Sequence, residues 1–370
     1  MINIGVLTSS RADFGIYKPL LLKMKEQKIF NLQIIAFGTH LSQQYGYSIM
    51  QVEETGIPVI ARFDTVPVND SPAGISGSMA LVMQKMTEVW QQHCFDLILA
   101  LGDRYEMFAA VASALPFNLK VAHIHGGETT LGAIDNALRH SITHMSALHF
   151  TAAEEYRKRV IELTGSTKGV FNTGALSVDN LTSEDFFTKE EIIDGFGIDL
   201  THPTILITLH PESIGYSRNE QYAHEMIKAL SAFSGIQQVI TMPNADTSGL
   251  IIRKLLQQYS IDRSNVFLVE NFGSKAYLSV MKYSTLMLGN TSSGFIEAAY
   301  FPKWVVNIGN RQSGRIRTPN IIDVPFDYKL IGNAIKIALN TGVPPVDSIY
   351  GDGNAAGKII KHILDECSTD

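Results

Sequence analysis

The chain is poor in cysteine: Cys94 and Cys367 are the only two in its 370 residues. Neither a disulfide framework nor a four-thiolate metal site can be built from them. No apolar run approaches the ~20 residues that a membrane span needs. The stretch after Met1, "INIGVLTSS", has no basic segment and no small-residue cleavage site. A cytoplasmic globular protein without a membrane partner is therefore expected. Positive charge is in deficit too. The net charge is −6, which argues against nucleic acid, a partner that needs a basic face. An anionic ligand stays open, because a phosphate site needs local rather than global positive charge. No G-x-G-x-x-G follows the first apolar run and no G-x-x-x-x-G-K-[ST] occurs, so neither a dinucleotide cofactor nor a P-loop is expected. "GDGNAAG" is glycine-rich but follows no strand, and reads as a turn into a final helix.

What the chain has in quantity is alternation. With 45% hydrophobic and 18% charged residues it has the make-up of a soluble enzyme, and it is too long for one comfortable core. Short Val/Ile/Leu runs at 2–8, 32–38, 58–63, 96–102, 119–125, 148–152 and 169–174 read as strands, with a helix between each neighbouring pair except the last. Residues 177–203 are polar and acidic and read as a linker holding one helix. A second series follows, with strands at 204–210, 237–243, 265–270, 285–290, 303–309 and 321–324, and helices including 293–299 and 328–340. Alternating βαβ units with continuous apolar strands predict parallel sheets covered on both faces. The expected fold class is α/β, with two Rossmann-like, doubly wound domains at 1–176 and 204–350 and a terminal helix in 351–370. Ligands of such sheets bind beyond the carboxyl ends of the strands.

The chemically informative residues sit just there. "SSRADFG" places Arg11 and Asp13 at the first strand-to-helix turn, either as anion partner and neighbour or as surface arginine and helix cap. "LALGDRYE" ends a strand with Asp103 and Arg104, and "VAHIHGGETTLGAID" ends the next with His125, Glu128 and then Asp135. Adjacent strand ends lie ~5–10 Å apart, so these carboxylates are expected on one rim, where mutual proximity can divide acid and base roles. A metal reading competes. His123 and His125 at i, i+2 would share one face of a strand, and His140 and His144 have i, i+4 helical spacing. Core or helix-face histidines explain most of these better, so no metal is expected. In the second half, "TLHPES" places His210, "MPNADTSG" Asn244, and "LGNTSSGFIEAAY" Thr291, Ser292, Ser293 and Glu297 after strands. A helix start stripped of bulky side chains suits a pyrophosphate, and Glu297 suits the two hydroxyls of a ribose. A capping-box start would serve as well. "NIGNRQSGR" adds Arg311 as an anion partner or plain surface charge.

Together "SRADFG", "LGDRYE", "HIHGGETTLGAID", "RHSITHMS", "TLHP", "GNTSSGFIEA" and "NIGNRQSGR" resemble the hydrolysing branch of the UDP-N-acetylglucosamine 2-epimerases. Seven motifs in order, from residue 8 to about 315, with the "YGDGNAA" tail also fitting, cover almost the whole chain. The resemblance implies a glycosyltransferase-B-like fold, a UDP-sugar between the two domains, and a final helix crossing back to the first. It implies that Asn244, Thr291, Ser292, Glu297 and Arg311 hold the nucleotide, with His210 near the phosphates. Arg11 and Arg104 would close on the diphosphate or sugar, and Asp103 would be a carboxylate of the chemistry. One departure matters. Where relatives read His-x-Glu-Gly-Gly, this chain has His125 in the glutamate's place. The acid or base of that position must then be His125, Glu128 or Asp135; the carboxylates are favoured and His125 is kept. The implied reaction converts UDP-N-acetylglucosamine and water to N-acetylmannosamine and UDP through a 2-acetamidoglycal, for nonulosonic (sialic) acid biosynthesis. Alternatives are the same reaction on UDP-N,N'-diacetylbacillosamine, the non-hydrolysing epimerase, a retaining glycosyltransferase, and a non-catalytic UDP-sugar sensor. No cofactor is required, and a homo-oligomer, a dimer or tetramer, is the expected assembly.

Overall fold

The computed structural model describes residues 1–182, 186–243, 246–345 and 349–367. The first seven strands are β1 (Ile2–Thr8), β2 (Phe30–Ala36), β3 (Val59–Arg62), β4 (Leu97–Leu101), β5 (Val121–Ile124), β6 (Leu148–Thr151) and β7 (Val170–Asn172). They form one parallel sheet in the order β3-β2-β1-β4-β5-β6-β7. A second parallel sheet holds β8 (Thr204–Thr208), β9 (Gln237–Thr241), β10 (Val266–Val269), β11 (Leu286–Gly289), β12 (Trp304–Ile308) and β13 (Ile321–Val324). Its order is β10-β9-β8-β11-β12-β13. Both orders run outward from the first strand and then reverse, which is the doubly wound arrangement with a switch point between β1 and β4 and another between β8 and β11.

The apolar runs make these sheets because both faces are covered. In β1, Ile4 and Val6 face one core with Phe14 and Tyr17 of helix Arg11–Lys25 and with Ile359 and Ile363 of the terminal helix Ala355–Cys367. Leu7 faces the other core, with Val82, Met86 and Trp90 of helix Pro72–Gln92. The strand period of two thus splits one buried run between two layers.

The chain divides into two compact units: Met1–Glu128, Ile134–Thr182 and Ile349–Asp370 in the first, Thr129–Ala133 and Ser183–Ser348 in the second. The terminal helix is fastened inside the first unit at its start. Asp179, on helix Leu176–Thr182, accepts from the Ala355 and Ala356 amides at 2.8 and 2.9 Å. A carboxylate there satisfies orphan amides and complements the helix dipole. Among the described residues no helix is long and apolar enough to cross a membrane.

Three local expectations change. The linker region carries two helices, Leu176–Thr182 and Lys189–Phe196, rather than one. The helix expected at 293–299 is a 3-10 turn, Ser292–Gly294, followed by the four-residue helix Glu297–Tyr300. Helix Glu154–Thr164, between β6 and β7, was not expected as a separate element.

Candidate active site

In the first unit the ends of β1, β4 and β5 carry the polar groups. Beyond β1, Asp13 turns inward. It accepts from the Ser9 and Ser10 amides at 2.8 and 3.1 Å and from the Ser9 and Thr8 hydroxyls at 2.8 and 2.5 Å. Asp13 thus closes the capping box that opens helix Arg11–Lys25 at Ser10. Arg11 is half-buried, with one guanidinium nitrogen 3.3 Å from the Tyr45 carbonyl. Beyond β4, Gly102 has φ +83 and hands the chain to Asp103. Arg104 lies along Glu106, its Nε and Nη2 donating to the two carboxylate oxygens at 3.1 and 3.0 Å.

Beyond β5 the chain turns at once. His125 has φ +66, a backbone that a non-glycine residue holds only when its surroundings over-determine it. It has left the strand, so the shared strand face expected of His123 and His125 does not exist. Gly127 has φ +80, and an added Cβ would lie 2.4 Å from the Tyr156 carbonyl. These constraints account for a His-Gly-Gly turn that brings Glu128 back under His125. Glu128 Oε1 takes His125 Nδ1 at 2.6 Å, and its Oε2 takes Arg139 Nη1 at 2.9 Å. Arg139 Nη2 donates to Asp103 Oδ2. One row results: His125, Glu128, Arg139, Asp103. Glu128 and Arg139 are 2% and 3% exposed, whereas the Asp103 side chain keeps 19%. His125 Nε2 is buried and has no hydrogen-bond partner. Asp135 opens the helix Asp135–His144 that carries Arg139 one turn later.

Arg139 is the residue that sequence reasoning missed. It stands inside the quoted "RHSITHMS", and its i, i+4 spacing from Asp135 was the available signal. His140 is half-buried and His144 exposed on the same helix. Among the described residues no three His, Cys, Asp or Glu side chains converge as a metal site requires.

The second unit has its polar groups at the β8–β11 switch point. The strands approach so closely that a Cβ on Gly289, at φ +137, would lie 1.9 Å from the Thr208 carbonyl. Asn290, fully buried, joins the two strand ends: it accepts from the His210 amide and donates to the His210 carbonyl, both at 2.8 Å. The Asn290 carbonyl takes Gln312 Nε2 at 2.8 Å and Arg311 Nη1 at 3.4 Å. Arg311 Nε is enclosed without a partner. Glu212, also missed, builds this arginine's turn by accepting from the Asn310 and Arg311 amides at 2.6 and 3.0 Å. Burial pushes its carboxyl pKa up, against the pull of those amides. Tyr277 hydrogen-bonds through its hydroxyl to Ser293 and Thr208 and faces Glu297; burial pushes that hydroxyl up to about 12. Thr291 accepts from the Ser293 amide at 3.4 Å. Since the segment is a 3-10 turn, the dipole of a long helix is not available there. Asn244 lies outside the described residues.

Five residues tie the two motif series together along the chain. Thr129–Ala133, between Glu128 and Asp135, belong to the second unit, where the Leu131 amide donates to the Ser313 carbonyl at 3.0 Å. A Cβ on Gly132 would lie 2.6 Å from Arg311 Cα.

Two doubly wound units, one with a carboxylate–arginine–histidine row at its strand ends and one with an arginine turn at its switch point, define a glycosyltransferase-B-like enzyme class. The chain belongs to the UDP-N-acetylglucosamine 2-epimerase family, whose model matches residues 22–364. It is 34% identical over 322 residues to the GDP/UDP-N,N'-diacetylbacillosamine 2-epimerase (hydrolyzing) of Campylobacter jejuni, spanning 87% of this chain and 84% of that one. It is likewise 34% identical over 339 residues to the polysialic acid biosynthesis protein P7 of Escherichia coli, spanning 91% and 86%. The crystal structure of the Neisseria meningitidis UDP-GlcNAc 2-epimerase bound to UDP-GlcNAc superposes with a TM-score of 0.81 over 99% of this chain and 100% of that one. Sequence identity there is 18%, so that likeness bears on the fold.

Proposed function

We propose that the protein is a hydrolysing epimerase that converts UDP-N-acetylglucosamine and water to N-acetylmannosamine and UDP, in the service of nonulosonic acid synthesis. The observation that carries this is the row His125–Glu128–Arg139–Asp103. It sets two groups able to move protons on either side of one buried guanidinium. Epimerisation at C2 needs such a pair, because the proton leaves one face and arrives at the other.

The reaction runs in two stages. The C1–O bond breaks with its electrons going to UDP, while a base takes the C2 proton and leaves a 2-acetamidoglycal. Water then adds across the double bond, its oxygen to C1 and a proton to the opposite face of C2. Asp103, the most exposed of the row, and His125, through its unpartnered Nε2, are the two proton stations. Glu128 orients His125 through Nδ1, as a buried carboxylate orients a catalytic imidazole. Asp135 starts the helix that positions Arg139. In the second unit, Arg311 and His210 meet the diphosphate and stabilise the charge on departing UDP. Thr291, Ser292, Ser293 and Glu297 take the nucleoside, Glu297 accepting from the ribose hydroxyls. Arg11 and Arg104 serve the diphosphate or sugar from the first unit.

A second reading keeps the chemistry and changes the sugar. UDP-N,N'-diacetylbacillosamine is favoured by the name of the Campylobacter jejuni relative. Incubation with each sugar nucleotide in deuterated water, followed by NMR, decides between them. Free 2-epimer carrying deuterium at C2, together with UDP, is expected from the true substrate. A UDP-linked product overturns the hydrolytic reading.

A further inference from the structure

His123 takes no part in the row, yet it is wholly buried and both its ring nitrogens are engaged. Its Nε2 donates to the Gly102 carbonyl at 2.8 Å, immediately before Asp103. Its Nδ1 accepts from the Thr143 hydroxyl at 3.1 Å. Thr143 lies one turn beyond Arg139 on helix Asp135–His144. Arg139 in turn holds Asp103. The contacts close a ring: Gly102–Asp103, Arg139, Thr143, His123, and back to Gly102. Gly126 makes room for it, since a Cβ there would lie 3.0 Å from His123 Nδ1 and 3.1 Å from the Thr143 hydroxyl.

We propose that His123 is a positioning residue that locks the Gly102–Asp103 turn to the helix bearing Arg139, so that Asp103 is presented at a fixed angle. Gly102, at φ +83, is a point where the chain can swing. Its amide is held by the Ile124 carbonyl at 3.0 Å and its own carbonyl by His123. With the second tether cut, the turn keeps one of its two anchors and Asp103 is aimed by Arg139 alone. Burial also pushes the imidazole down to about 3, which keeps one donor and one acceptor in place at working pH. His149, its register partner on β6, is lowered to about 4, so both imidazoles are uncharged.

The inference rests on Asp103 belonging to the reaction proposed above, and the test separates the two. Wild type, His123→Gln, His123→Leu and Thr143→Val are compared for kcat, KM, UDP affinity by calorimetry, and the crystal structure. His123→Gln keeps a donor near the Gly102 carbonyl; His123→Leu removes both bonds; Thr143→Val removes one hydroxyl. His123→Leu is expected to lose about 100-fold in kcat, the order of loss a 1 Å misplacement brings, with KM and UDP affinity unchanged. His123→Gln restores most of that loss, and Thr143→Val shows a smaller loss in kcat alone. A His123→Leu enzyme with wild-type kcat overturns the proposal. So does a parallel decline of kcat, UDP affinity and melting temperature that glutamine does not rescue. If His123→Leu does not fold, Thr143→Val and His123→Gln decide by the same split. Should wild type turn over neither sugar nucleotide, the reading of the reaction fails. The structure of the variant then decides the positioning alone, an unmoved Asp103–Arg139 pair being the result against it.

Discussion

Arg139 shows what a side chain's partners add to its position. In the sequence it is one basic residue among helix-face histidines; in the fold it is 3% exposed and holds Asp103 with one arm and Glu128 with the other. A single guanidinium fork can do this because its donors lie in a fixed plane, which a lysine ammonium cannot imitate. Arg139→Met should therefore leave two carboxylates facing each other without a cation and cost at least about 100-fold in kcat, with Arg139→Lys recovering only part. Steady-state kinetics check this, and a lysine variant of full activity counts against the fork. Asp103→Asn and Glu128→Gln should each abolish turnover while leaving UDP affinity nearly intact, measured by calorimetry. Persistent activity in Asp103→Asn removes it from the chemistry. The positions of these carboxylates were legible because strand ends are legible. Their pairing was not, since Arg139 reaches Glu128 across 11 residues and Asp103 across 36, and no local periodicity encodes either contact.

At the scale of elements, strands were the easiest part to read, because a strand buried on both faces writes an unbroken apolar run, as in the fully buried LILAL of β4. Helix Glu154–Thr164 escaped because only Tyr156 and Val160 are buried along its length, too narrow a stripe to stand out. The segment after β11 misled in the opposite direction. "GFIEAAY" has good helix formers, but Gly294 through Ala299 are buried almost without a solvent face, and packing breaks the expected helix into a turn and a stub. Tertiary burial overrides propensity there. The loop Thr129–Ala133 carries a prediction of its own. A Cβ on Gly132 would meet the Arg311 Cα and Asn310 carbonyl at 2.6 Å and the Arg311 amide at 2.7 Å, all backbone atoms that cannot swing aside. Gly132→Ala should thus displace the Arg311 turn, raising KM for the sugar nucleotide by about 10-fold or more while the first unit's melting stays put. Unchanged KM shows the loop and the turn to be uncoupled.

At the scale of the whole molecule, two like topologies carry separate cores. The clusters around Ile4 and Leu7 lie in the first unit, and that around Ile205 in the second. Buried histidines give the first unit a titration that calorimetry can read. His40, His123, His140 and His149 all lie in the first unit, and burial holds each of them below the ordinary histidine pKa, His123 to about 3 and His149 to about 4. A histidine so depressed is neutral in the folded unit while the unfolded chain takes up its proton near pH 6.5. For His123 and His149 the contribution to stability is whole above that pH and is lost as the pH falls from about 6.5 toward 3–4, with a slope of at most about 1.4 kcal/mol per pH unit for each proton. Scanning calorimetry between pH 7.5 and 4.5 should then show one transition moving down steeply with acid. Saturating UDP should raise the other, since a ligand of the folded state stabilises what it binds. His149→Gln removes one of the titrating groups and should flatten the acid-sensitive slope by about one proton. If both transitions shift together with acid and with UDP, the two units melt as one, and the stability of the carboxylate row cannot be separated from that of the nucleotide site.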